Sequence, residues 1–406
     1  MWRGLVRPVS RLVVLCILAV SAAPQTPPEI ISQIRTELDH VRAEIPQHLE
    51  TRGASPELST IKHQLRDWVE SQLGQLPSDA NGEDGDEVAL AIRLNDQLRA
   101  GHLFREGSEA GEDDDWNGGG FLGRIRLQYT QRQAYLLLQT AIEVNCGFDE
   151  SAYLYSWRDG GWHRIWETEQ NTYTKNGYTV QTIHAVLVSP PFTDPWPFVM
   201  TLGTAPWCSS NWRGVFVRIW KVNPAGPKLL LDKSEPAYLG GHDIPIEGSI
   251  GREDALVEYT SASLDPDVFR EVVLHYMLRP DKVERIGPIA LSPRDFVDAW
   301  LNQPWEESRR WTERAGLEAL KAVHARGTEG HDQFQPTRRC RSADLWQVGL
   351  GAQDGKAAPI YFLVRWRPPY EFTMVRSMAL PSPHCKREDA MADEPRTLFP
   401  VQDWRE

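Results

Sequence analysis

Positive charge is in short supply in this chain: its 406 residues carry 44 Lys and Arg against 56 Asp and Glu, a formal net charge of −12. Nucleic acid rewards clustered Lys and Arg, and anionic membrane surfaces do the same, so neither is expected as a partner. The 11 histidines form no HExxH pair, and there is no CxxC, which removes the common zinc signatures. There is also no GxSxG elbow to expose a nucleophilic serine. Gly118-Gly119-Gly120-Phe121-Leu122-Gly123 formally fits GxGxxG. A pyrophosphate site needs a strand before that motif and a helix N-terminus after it, whereas here an acidic loop precedes and a strand pattern follows. The acidic runs Glu83-Asp84-Gly85-Asp86-Glu87 and Glu112-Asp113-Asp114-Asp115 lack calcium-loop spacing, so they read as solvated linker. None of these patterns calls for a cofactor or a metal.

Long apolar runs are missing too, apart from one short stretch at the start. Arg3, Arg7 and Arg11 precede the run Leu12 to Val20, and Ser21-Ala22-Ala23 follows before Pro24. That order is a basic n-region, an apolar h-region and a small-residue cleavage site. Residues 1–23 are therefore expected to be a cleaved signal peptide, since the run falls well short of the roughly 20 residues a spanning helix needs. Cleavage removes three cations, taking the charge to −12 − 3 = −15. The mature chain is expected to have no membrane span and to be periplasmic or extracellular. Cys16 leaves with the signal, and an even set of four remains, Cys146, Cys208, Cys340 and Cys385. In an exported chain these read as disulfides.

The pattern along the chain is that of a multidomain α+β protein. Ile31, Ile34, Leu38, Val41 and Ile45 recur at steps of three and four, the stripe of an amphipathic helix. Ser55-Pro56 caps a second helix, with Leu58, Ile61, Leu65 and Trp68 on its stripe. The short break at Thr51-Arg52-Gly53 folds the two back as a helical hairpin, so 28–105 is read as a helical region. The acidic, Gly-rich segment 106–120 is a linker. From 121 to 288 strand patterns crowd together, a mostly antiparallel β domain of meander or propeller-like type. Ser292-Pro293-Arg294-Asp295 then opens a helix, and two strands flank Pro368-Pro369, making 289–385 a small α+β domain. Residues 386–406 read as a loose tail. With these boundaries, Cys146 is expected to pair with Cys208 and Cys340 with Cys385, because each pair then closes within one domain.

The most informative feature is aromatic. The chain has 16 tryptophans, and Arg158-Asp159-Gly160-Gly161 separates two strand patterns, a strong two-residue hairpin signal. That turn predicts Trp157 opposite Trp162, Tyr155 opposite Arg164 and Tyr153 opposite Trp166 on one face. Such a face either stacks sugar rings or forms core, with Arg164 in a cation–π contact. Trp162-His163-Arg164-Ile165-Trp166 is echoed by Phe216-Val217-Arg218-Ile219-Trp220, a spacing that suits successive four-stranded units. Trp212, inside Trp207-Cys208-Ser209-Ser210-Asn211-Trp212, and His242, in the loop Gly240-Gly241-His242-Asp243, complete the candidate ligand-binding residues with Trp157, Trp162, Arg164 and Trp166. No catalytic set is assembled by these patterns.

The segments Tyr153 to Trp162, Pro206 to Arg213 and Phe362-Leu363-Val364-Arg365-Trp366-Arg367-Pro368-Pro369-Tyr370 resemble uncharacterised exported proteins of soil bacteria such as acidobacteria. The resemblance implies export and a multidomain build, and it carries no activity and no site residue. The expected function is a non-catalytic extracytoplasmic binding or interaction protein for a protein or carbohydrate ligand. The alternative is a secreted hydrolase acting on glycans through a carboxylate pair.

Overall fold

A computed structural model describes residues 29–44, 57–77, 85–105, 119–131, 134–144, 147–169, 181–191, 196–204, 212–238, 246–265, 269–287, 290–326, 330–342, 344–367 and 371–387. Residues 1–23, most of the acidic segment 106–120, Cys146, Cys208, His242 and residues 388–406 lie outside them. Among the described residues there are six α-helices and four antiparallel sheets, an α+β architecture.

Three helices come first: α1 (Glu29–Glu44), α2 (Glu57–Glu70) and α3 (Asp86–Ala100). Their stripes, Ile31, Ile34 and Leu38, then Leu58, Ile61 and Leu65, then Leu90, Leu94 and Leu98, all go into one core. The other side of that core is the first sheet, a meander of β1 (Arg126–Thr130), β2 (Tyr135–Val144), β3 (Gly147–Arg158) and β4 (Gly161–Glu167). The second meander is β5 (Thr182–Val188), β6 (Phe198–Thr204), β7 (Trp212–Lys221) and β8 (Lys228–Tyr238). The third is β9 (Glu247–Ile250), β10 (Asp254–Ala262), β11 (Phe269–Leu278) and β12 (Val283–Arg285).

These sheets stack face to face, and the stacking explains why some strands show no polar alternation. In Tyr135-Leu136-Leu137-Leu138 every residue is buried: Leu136 and Leu138 face the helices, while Tyr135 and Leu137 face the second sheet. In β6, Val199 faces the first sheet, and Phe198 and Met200 face the third. A strand covered on both sides reads as a continuous apolar run because successive side chains point to opposite faces.

Helix α4 (Pro293–Asn302) starts as its sequence predicts. Ser292 Oγ accepts the Asp295 N–H at 3.1 Å, and its hydroxyl donates to the Asp295 carboxyl at 2.7 Å. Helices α5 (Trp305–Ser308) and α6 (Leu317–Arg326) follow. Phe296, Trp300 and Leu320 from this group share a core with Val348, Phe362 and Met374 of the fourth sheet. That sheet runs β16-β15-β14-β13-β17, with β13 (Gln333–Cys340), β14 (Leu345–Gly351), β15 (Ile360–Arg367), β16 (Glu371–Met378) and β17 (Cys385–Arg387). Strand β13 was not legible because it contains Pro336, which has no N–H for the ladder, and its pairing with β14 is irregular between Gln335 and Arg338. Cys340 and Cys385 form a disulfide between β13 and β17. Strand β17 also carries regular structure two residues into the segment read as a loose tail.

The five-residue echo is not a repeat of equivalent strands. Trp166 lies on the fourth strand of its meander and Trp220 on the third of the next. Their rings meet edge to face, with centroids 5.3 Å apart and planes at 72°. The shared sequence marks a contact between two sheets.

Candidate functional site

Asp159 and Gly160, at φ 49° and 82°, make the tight turn with positive φ at both central residues that a two-residue hairpin uses. Beyond it Trp157 pairs with Trp162 and Tyr155 with Arg164, as the sequence predicts. One residue further, the register changes. Leu154 pairs with Trp166, Tyr153 pairs with Glu167, and Ile165 is the extra residue in β4. A bulge of one residue turns every later side chain to the other face. Trp166 therefore does not share the face of Tyr153 and Tyr155. It is buried between the first two sheets with Leu154, Val199 and Trp220.

What remains on the helix side is a graded face. Tyr153 and Tyr155 are closed off under α2, their hydroxyls donating to Glu169 Oε2 at 2.5 Å and to Glu70 Oε1 at 3.0 Å. Burial first, then the adjacent Glu169 or Glu70, pushes both phenols well above the ordinary range. Towards the turn the face opens. Trp157 and Trp162 are half-buried, with ring centroids 5.5 Å apart at 77°, and Tyr129 of β1 lies 5.9 Å from Trp162. Burial, followed by the charges of Glu87 and Asp86, pushes the Tyr129 hydroxyl up to about 12. Beside the rings, Arg164 Nη1 donates to Glu70 at 2.7 Å, and its Nε lies 3.1 Å from Glu167. The Arg164 and Glu70 side chains are each 31% exposed, so this rim is open to solvent.

The structure thus gathers Trp157, Trp162 and Arg164 with Tyr129, Glu70 and Glu167. It places Trp212 apart, on β7 opposite Tyr238 in the second sheet. Sequence reasoning missed Tyr129 and Glu70. The alternation of Leu127 and Tyr129 put Tyr129 on an inward face, but only the docking of α2 on β3 could reveal Glu70.

A second polar region lies where α4 meets the third sheet. Glu258 pairs with Glu247 across β10 and β9, and Glu271 pairs with Thr260 across β11 and β10. Burial, then Glu271 and Glu247, pushes the Glu258 carboxyl up to about 7. Burial also raises Glu271, Asp298 and Asp295, the last to about 6. Arg270, Glu271, Arg285, Asp295, Gln303 and Trp311 line a cavity of ≈ 20 Å³, room for about one water. In the first sheet, burial pushes Glu150 to about 7 while it accepts the Ile183 N–H.

These carboxyls have a consequence for stability against pH. A carboxyl whose folded pKa is raised contributes stability that is fully present below its unfolded value and is lost as pH rises through the folded one. With Glu150, Glu258 and Asp295 near 7, 7 and 6, the melting temperature is expected to fall between about pH 5 and about pH 8. Glu258→Gln should flatten that slope. A melting temperature that instead rises across this range would refute the reading.

Compared with known proteins, the chain matches no family and no curated sequence.

Proposed function

We propose that this chain is an exported, non-catalytic binding protein that takes a carbohydrate or protein ligand on the open end of the β3–β4 face. The observation that supports this most directly is the contact set Tyr129, Trp162 and Trp157, half-exposed and rimmed by Arg164, Glu70 and Glu167. Aromatic rings supply apolar area at little entropic cost, with polar tips or neighbours that fix orientation. The rim groups already satisfy each other, so they suit a neutral, hydroxyl-rich ligand better than a strongly charged one. Export is supported by the basic, apolar and small-residue order of residues 1–23.

Polysaccharides titrated against the folded protein, with tryptophan fluorescence as the readout, test this reading. Trp157→Ala and Trp162→Ala are expected to weaken binding at least about tenfold, equivalent to about 1.4 kcal/mol. Unaltered affinity in both variants would remove the face as a ligand site.

For a glycan hydrolase, Asp295 and Glu271 are, among the described residues, the two raised carboxyls that line the α4 cavity. Room for about one water there does not accommodate a sugar ring, and the binding reading is preferred for that reason.

A further inference from the structure

The apolar stripe of α2 contains one cation. Lys62 is only 1% exposed and lies in the same layer as Ile61 and Leu65, and Asp149 of β3 opposite is 0% exposed. Nζ of Lys62 lies 2.6 Å from Oδ2 of Asp149. The two residues belong to a helix and a strand that pack into one core, and close-packed interiors leave side chains little freedom. We propose that Lys62 and Asp149 condense to an intramolecular amide, a covalent staple between α2 and β3.

The step balances within the pair. A proton passes from the Lys62 ammonium to the Asp149 carboxylate, leaving a neutral amine and a neutral acid. Nζ attacks Cγ, forming the C–N bond, and the tetrahedral adduct expels one carboxyl oxygen. That oxygen leaves as water with two protons that began on Nζ, and Nζ keeps one. No oxidant, reductant or second substrate takes part.

Three features of the site favour this outcome over a permanent ion pair. Contact between the amine and the carboxyl within a rigid core replaces a bimolecular encounter with a positioned one. Burial disfavours both charges, and it is the largest influence on Lys62, holding its ammonium below the usual lysine range against the opposing pull of Asp149. A neutral amine is the nucleophilic form, and a neutral amide removes two charges that are costly to keep away from water. A further fixed carboxylate, Glu169, acts electrostatically on Lys62 and is itself held by Tyr153, Arg66 and His63. Its charge, like that of Asp149, favours the ammonium form, and burial outweighs both.

Intact-mass measurement of the purified, disulfide-reduced protein tests the proposal without any variant. The expected mass is one water below that calculated for the chain from its observed N-terminus onward. Trypsin should fail to cut after Lys62 and should release a branched peptide joining the segments that contain Lys62 and Asp149. Lys62→Met should show its full mass, whatever its stability. Asp149→Asn should still cross-link, now losing ammonia in place of water. A parent protein of full mass that is cleaved after Lys62 overturns the proposal. So does a loss of water confined to the peptide containing Asp149, which would be a cyclic imide of that residue.

Discussion

Trp166→Ala is expected to cost about 3 to 5 kcal/mol of folding stability, the range for removing a large buried aromatic side chain. Trp166 is 1% exposed and fills the interface between the first and second sheets, where its ring meets that of Trp220. The sheets are each braced from behind, one by the helical layer and the other by the third sheet. Such braced walls relax little into a cavity, which places the loss toward the upper part of the range. Trp162→Ala should cost less, because that ring is half-exposed and packs from the edge of its core. Urea denaturation of the three proteins, at equal slope, gives the comparison. If the two variants melt alike, the bulge at Ile165 does not separate their faces.

That contrast also shows what the sequence could and could not convey. The helix stripes, the Ser292 cap, the Asp159-Gly160 turn and most strands of the first three sheets follow from local periodicity and turn chemistry, which the final structure leaves intact. Pairing of Cys340 with Cys385 followed from where the boundaries fell. The bulge at Ile165 had no local signal, since Arg164-Ile165-Trp166 continues the strand pattern while the partner strand skips a residue. Short strands such as β9 and β12 also escaped notice, with only 4 and 3 residues to carry an alternation. For the site, Trp157, Trp162 and Arg164 came from one hairpin and were legible together. Glu70 and Tyr129 reach them from other elements, and long-range docking leaves no trace in spacing. Lys62 did leave one: it falls beside Ile61 and Leu65 on a stripe that otherwise excludes charge, which asks for a buried partner.

Removing that partner should have an effect as large as truncating a fully buried core side chain. Asp149→Ala leaves the Lys62 side chain sealed against the sheet without its carboxylate, and breaking a buried pair in this way costs about 3 to 5 kcal/mol. The paired replacement Lys62→Met with Asp149→Leu separates an ionic contact from a covalent one. Swapping a buried ion pair for apolar residues of similar volume is often neutral, or stabilising by about 1 to 4 kcal/mol. A staple changes that expectation, because it also restricts the unfolded chain. The loop it closes spans 149 − 62 = 87 residues, and the chain-entropy treatment of cross-links assigns about 4 to 5 kcal/mol to a loop of that length. The double variant is therefore expected to fall below the parent by a few kcal/mol in urea denaturation, with a larger slope because its unfolded state is more expanded. A double variant as stable as the parent would mean that the pair is ionic, while an Asp149→Ala protein of unchanged stability would mean that Lys62 reaches water.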